Sequence, residues 1–129
     1  MIENLPNYFT SAVLGIMLFF SFVVAPITFT VLDEVNSRKF IRKIFPYYYL
    51  SNLFLCLCAL ISLVILDNIN FDFYLILAIT ILFVISNFIL MPLINKFRDN
   101  KEDKKFKYSH SVSVLINFIQ LIILVIILI

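Results

Sequence analysis

The sequence predicts an all-α integral membrane four-helix bundle with both termini on the non-cytoplasmic side. Three observations carry that prediction. First, 63% of the 129 residues are hydrophobic, only 14% are charged, and the mean hydropathy is +1.06. A soluble domain of this size buries only part of its surface and could not hide so much apolar area. Second, the apolar residues fall into four runs, each near the ~20 residues that cross a hydrocarbon core about 30 Å thick. Third, all ten Lys and Arg residues lie in segments 33–45 and 95–109, which alternate connections place on one side. The other side holds Glu3, Asp67 and Asp72 and no basic residue. The positive-inside rule makes the basic segments cytoplasmic loops of a multi-pass protein of the cell inner (plasma) membrane.

The chain reads as one domain, 1–129. Its first seven residues carry Glu3 but no Lys or Arg, unlike the positive start of a secretory signal peptide. Helix one is expected over 8–32. Ser11, Ala12, Gly15, Phe19, Phe22 and Pro26 share a face, and the Ser11–Gly15 spacing suits close helix approach. Helix two is expected over 46–66, with Pro46 in the first turn, where its missing N–H costs nothing. Its inner face would hold Tyr48, Ser51, Asn52, Ala59 and Ser62. Residues 67–70 form a tight connection. Helix three is expected over 71–94, with Thr80, Asn87, Met91 and Asn95 in one sector. Helix four follows over 110–129. Pro26 and Pro92 recur near the basic ends of helices one and three, about 65 residues apart, a faint sign of parallel duplication. Cys56 and Cys58 point about 200° apart on a helix, so they form neither a disulfide nor a shared metal site.

Helix four concentrates the polar chemistry. His110, Ser113, Asn117 and Gln120 fall within about 80° of arc, while Leu115, Ile119, Ile122 and Ile126 lie opposite. Lipid cannot satisfy such a stripe, so it must face protein or a wet cavity, and the other helices should pack around it. Asn52 and Asn87 lie at similar depth in the half beneath the basic loops, and Asn95 and Arg98 follow at its edge. The candidate ligand-binding face is therefore His110, Ser113, Asn117, Gln120, Asn87, Asn95, Asn52 and Arg98.

Two readings of that face stand side by side. The residues are interhelical ties, at about 0.6 kcal/mol per hydrogen bond. Alternatively they line a polar pocket rimmed by Lys and Arg, suited to an anionic or amphiphilic molecule. His110, the only histidine, is a solvated interfacial residue, a proton relay or the one weak metal candidate. A haem with two axial histidines would need a second chain, and no spacing marks Met17 or Met91 as ligands. No cofactor is identified. Pro26 and Pro92 are expected to kink their helices and free the carbonyls of Phe22 and Phe88.

Several stretches resemble the transmembrane-protein-205-like family. They are Phe19-Phe20-Ser21-Phe22-Val23-Val24-Ala25-Pro26, Phe45-Pro46-Tyr47-Tyr48, Met91-Pro92-Leu93-Ile94-Asn95 with Arg98-Asp99, and Phe106, His110, Ser113 and Asn117. The resemblance implies a four-helix membrane protein without an assigned activity. It implies that Pro26, Pro92, Asn95, Arg98, Asp99, His110, Ser113 and Asn117 act together. Arg98 would then pair with Asp99 or hold the His110 end of helix four.

There is no Ser-His-Asp order, no paired intramembrane carboxylate and no glycine-rich phosphate loop. No Asp, Glu, Lys or Arg lies well inside a span, although pumps and secondary transporters usually carry such a residue. The expectation is a non-enzymatic protein that binds a small amphiphile or lipid in its cytoplasmic half, or serves as a small subunit of a membrane assembly. The alternative is a redox, metal or haem protein using His110. A passive channel would need a continuous polar path, which the apolar outer half does not offer in a monomer, though an oligomer could build one. The expected partners are the bilayer, anionic lipid at the basic loops, and copies of itself or a larger membrane complex. Nothing points to nucleic acid.

Overall fold

A computed structural model describes all 129 residues as four helices joined by three short turns. Helix α1 spans Ile2–Val31, α2 Glu34–Ile65, α3 Phe71–Asp99 and α4 Asp103–Leu128, and each is long and apolar enough to cross a membrane. The protein is a multi-pass helical membrane bundle, with both termini at the end opposite the basic turns. Helix α1 packs on α2 and α2 on α3, while α4 rests on α1 and α3, diagonally across from α2. The core forms where these meet, around Val13, Met17, Ala59, Ile76, Ile79, Phe83 and Leu124.

Both basic segments differ from the expected loops. Helix α2 starts at Glu34, not Pro46, because Asp33 caps it. The Asp33 carboxylate accepts the Asn36 backbone N–H at 2.9 Å and the Asn36 side-chain amide at 2.6 Å. These two donors hold its carboxyl below the ordinary carboxylate range. Glu34 then pairs with Arg38 one turn on. Pro46 consequently lies inside the helix. At 32 residues, α2 is about 48 Å long, well beyond a ~30 Å core. Its basic third therefore projects past the hydrocarbon. Segment 95–109 is likewise mostly helix, broken only at 100–102.

The turns at 66–70 and 100–102 are built alike. Asn68 N–H bonds the Leu63 carbonyl and Asp67 N–H that of Val64. Glu102 bonds Phe97 and Lys101 bonds Arg98 in the same way. This paired pattern satisfies the last carbonyls of a helix and needs one left-handed residue. Here Asp67 (φ 52°) and Lys101 (φ 56°) take that role in place of glycine.

The prolines produce wide turns. In α1 the five residues Phe20–Val24 are π-helical, and in α3 so are Ser86–Leu90. Each turn runs directly into an X-Pro pair, Ala25-Pro26 and Met91-Pro92. The Ala25 N–H reaches the Phe20 carbonyl and the Met91 N–H that of Ser86. A proline cannot donate to the carbonyl four residues back and its ring crowds that carbonyl. One extra residue in the preceding turn relieves both problems. The proline recurrence seen in the sequence is thus a matched structural feature of α1 and α3.

The expected inner face of α1 is its outer face. Ser11, Ala12, Gly15, Phe19 and Phe22 are exposed, whereas Thr10, Val13, Met17, Phe20 and Thr28 point inward. A side chain at Gly15 would meet nothing within 4 Å. This helix is apolar all round, so periodicity cannot choose a face, and the small residues mark no close contact. In α2, Ser51 is exposed, whereas Tyr48, Asn52, Ala59 and Ser62 are buried as expected.

Two substitutions test this packing by equilibrium unfolding in mixed micelles. Lys101→Gly removes the left-handed strain and should raise stability by about 1 kcal/mol. Ala59→Leu should lower it by about 1–3 kcal/mol, because Ala59 is fully buried where α2 meets its neighbours.

Candidate functional site

At the basic end the four helices enclose a cavity of about 390 Å³. That falls in the range of small-molecule pockets, roughly 300–1,000 Å³. Its floor is aromatic. The ring centroids of Phe20 and Tyr48 lie 4.3 Å apart, Phe45 stands 5.2 Å from Phe20, and Tyr49 reaches Phe83 at 6.4 Å. These rings come from α1, α2 and α3, and Phe20, Phe45, Tyr48 and Tyr49 line the cavity.

Asn117 ties this floor together. Its Oδ1 accepts from the Tyr48 hydroxyl at 2.9 Å, and its Nδ2 donates to Ser21 Oγ at 3.2 Å. Ser21 sits in the π-helical turn of α1. One turn earlier on α4, Ser113 Oγ lies 3.5 Å from the Tyr49 hydroxyl. One turn later, Gln120 Nε2 donates to the Ile79 carbonyl of α3 at 3.3 Å. The polar stripe of α4 therefore contacts each of the other helices, as its amphipathic spacing predicted.

The rim is cationic. Arg42 pairs with Asp99 and also approaches the Asn95 carbonyl at 3.4 Å, joining α2 to α3. Arg38 pairs with Glu34 on its own helix. Arg98 has no carboxylate partner. Its guanidinium lies 4.4 Å above the Phe106 ring, and that ring stacks on His110 at 5.8 Å with planes 3° apart. Of the two arrangements the resemblance implied for Arg98, the structure has the second. Arg98 holds the His110 end of α4 through Phe106, and Asp99 is taken by Arg42.

Of the eight sequence-predicted residues, His110, Ser113, Asn117, Asn95 and Arg98 line the cavity. Gln120, Asn87 and Asn52 lie outside it, buried in the core. Asn52 Nδ2 donates to the Tyr48 carbonyl at 2.9 Å, while the side-chain oxygens of Asn52 and Asn87 have no protein partner. The sequence argument missed Arg38 and Arg42 as cavity residues. They stand one helical turn apart on α2, a relation visible only once 33–45 is read as helix.

The donors fall into two groups. Asn117 spends both ends of its amide on protein. The Arg98 guanidinium has only a ring beneath it, and the Asn95 amide and His110 imidazole make no hydrogen bond within the chain. The cavity thus presents unspent donors together with the apolar side chains of Phe20, Ala25, Phe29, Ile94 and Val114. Met91 is also in the lining, but no three His, Cys, Asp or Glu side chains come together anywhere.

A family model described as "Domain of unknown function (DUF4149)" matches residues 8–103. No curated protein and no solved structure matches the chain.

Stability measurements should separate the two groups of donors. Asn117→Leu removes two interhelical bonds and should cost about 1–2 kcal/mol, near the upper range for membrane hydrogen bonds. His110→Ala, which breaks no hydrogen bond, should stay within about 0.5 kcal/mol of the parent.

Proposed function

Since the chain belongs to the DUF4149 family, whose description assigns no activity, we propose from the cavity's chemistry that it binds a small anionic amphiphile. The basic end faces the cytoplasm, following the charge asymmetry, and the membrane is the inner (plasma) membrane. The head group is held by Arg98 with Asn95, His110 and Ser113, and the apolar part rests on Phe20, Ala25 and Phe29. Resemblance to the transmembrane-protein-205-like proteins directs attention to the same residues.

The observation that carries this reading is the state of Arg98. It is a cation with no carboxylate partner, seated on an aromatic face beside a cavity. A guanidinium in that position has its hydrogen-bonding edge left for an anion, and such charge-assisted bonds are the stronger ones. The same charge weighs against a metal or redox role for His110. Arg98, the one cavity arginine without a carboxylate partner, lies across the Phe106 ring from His110 and would repel a cation there. A channel through one chain would have to break the aromatic floor.

The test is binding of dodecyl phosphate and of dodecyl maltoside, a neutral amphiphile of the same chain length, measured by native mass spectrometry. The phosphate should bind at least tenfold more tightly, about 1.4 kcal/mol or more, as expected for one charge-assisted hydrogen bond. Arg98→Gln should remove that preference while leaving the fold intact by circular dichroism. Equal binding of both compounds, or a preference that survives Arg98→Gln, would refute the reading.

A further inference from the structure

The two edges of the cavity differ in how their helices are joined. Between α2 and α3, the Arg42–Asp99 ion pair and the Arg42–Asn95 contact bridge the gap. Between α1 and α4 the one side-chain tie is the Ser21–Asn117 hydrogen bond, and none joins Ala25–Val31 to α4. Helix α1 packs on α4 along Leu5–Phe19, but beyond its wide turn the Ala25–Val31 segment packs chiefly on α2. On the other side, the stretch Met91–Asp99 keeps its contact with α4. The two proline turns therefore leave the basic half as two helix pairs, α1 with α2 and α3 with α4. The pairs are clasped by Arg42 at one edge and parted at the other.

The residues at the parted edge have both a cavity side and an outer side. Phe29 on α1 and Val114 on α4 line the cavity, yet are 64% and 55% exposed. The volume adds a constraint. At about 390 Å³, near the lower end of small-molecule pockets, the cavity takes a head group and the start of one chain, not a two-chain lipid. Any longer chain must leave through the opening, and exposed Phe22 and Phe118 continue the apolar surface on α1 and α4. The head-group end is cationic and the opening apolar, which is the order of an anionic lipid standing in the leaflet at the basic end.

We propose that the ligand is an anionic membrane lipid that reaches the cavity sideways from the leaflet, passing between α4 and the Ala25–Val31 segment of α1, beyond the turn that Asn117 ties at Ser21. Its head group docks at Arg98 and its chain remains in the bilayer. This proposal rests on the head-group reading given above and adds the source of the ligand and its route. The Arg42–Asp99 clasp keeps the opposite edge shut, so the site has one lateral door.

The chain has no tryptophan, so a single introduced one reports locally. Phe29→Trp places it at the door, and Ile61→Trp places it on the exposed face of α2, far from the cavity. Both variants are reconstituted in phosphatidylcholine vesicles holding a small fraction of lipid with brominated chains, as either phosphatidic acid or phosphatidylcholine. Brominated phosphatidic acid should quench Phe29→Trp at least threefold more than brominated phosphatidylcholine. Adding Arg98→Gln should erase the difference, and Ile61→Trp should be quenched equally by both lipids. Equal quenching at Phe29→Trp would overturn the lateral route. If dodecyl phosphate still bound in an Arg98-dependent manner, the site would stand and its ligand would come from water. If that binding were absent as well, both readings would fall together. Preferential quenching that survives Arg98→Gln would place the anionic lipid elsewhere on the surface and would also overturn the proposal.

Discussion

Asn117 is the residue on which the arrangement depends. The hydrocarbon core offers no hydrogen-bond partner, so a polar side chain there must find protein or a wet cavity. Asn117 finds Tyr48 of α2 and Ser21 of α1 together, from a helix whose backbone packs on α1 and α3. Helices α2 and α4 face each other across the diagonal, and long tyrosine side chains span that distance. The space the tyrosines cross is the cavity. One set of contacts thus fixes the register of three helices and defines the floor of the site. Gln120 completes the set by tying α4 to α3 deeper in the bundle.

The wide turns at Phe20–Val24 and Ser86–Leu90 divide the molecule by depth. On one side of them lies the close-packed core of Val13, Met17, Ile76, Ile79 and Phe83. On the other side the helices diverge and polar groups collect. Ser21 belongs to one of these turns, so the bond from Asn117 secures the point at which α1 changes course. The turn recurs in α1 and α3, and the two hairpins contribute differently to the cavity. The α1–α2 hairpin supplies Arg38, Arg42 and the tyrosines, and the α3–α4 hairpin supplies Arg98, His110 and the amides.

Much of this was legible in the sequence, and the failures have physical causes. Four spans follow from hydropathy and length. The stripe His110, Ser113, Asn117 and Gln120 is visible because polar residues stand out on an apolar helix. The same logic fails on α1, where nearly every residue is apolar and Ser11 and Gly15 face outward. Packing volume, which one sequence does not encode locally, decides that face. The basic segments misled in a different way. Lys and Arg signal topology, but they are also good helix formers, and the Asp33 cap extends α2 through them. Without that extension Arg42 cannot reach Asp99, a pairing between residues far apart in the chain that no local pattern announces. Asn52 and Asn87, read as part of the same face, are buried outside the cavity lining, since the orientation of a side chain depends on its neighbours.

The account holds that Arg98, freed from carboxylates and seated on Phe106, is the head-group contact. The most direct measurement is solid-state NMR dipolar recoupling between ¹⁵N in the arginine side chains and the ³¹P of bound dodecyl phosphate in membranes. Replacing Arg98 assigns the signal. A direct hydrogen bond puts phosphorus within about 4 Å of the guanidinium, so strong dephasing of the Arg98 signal is predicted. Dephasing absent from Arg98, or spread evenly over Arg38, Arg42 and Arg98, would contradict the account. It would leave the cavity as a by-product of how four helices pack around Asn117.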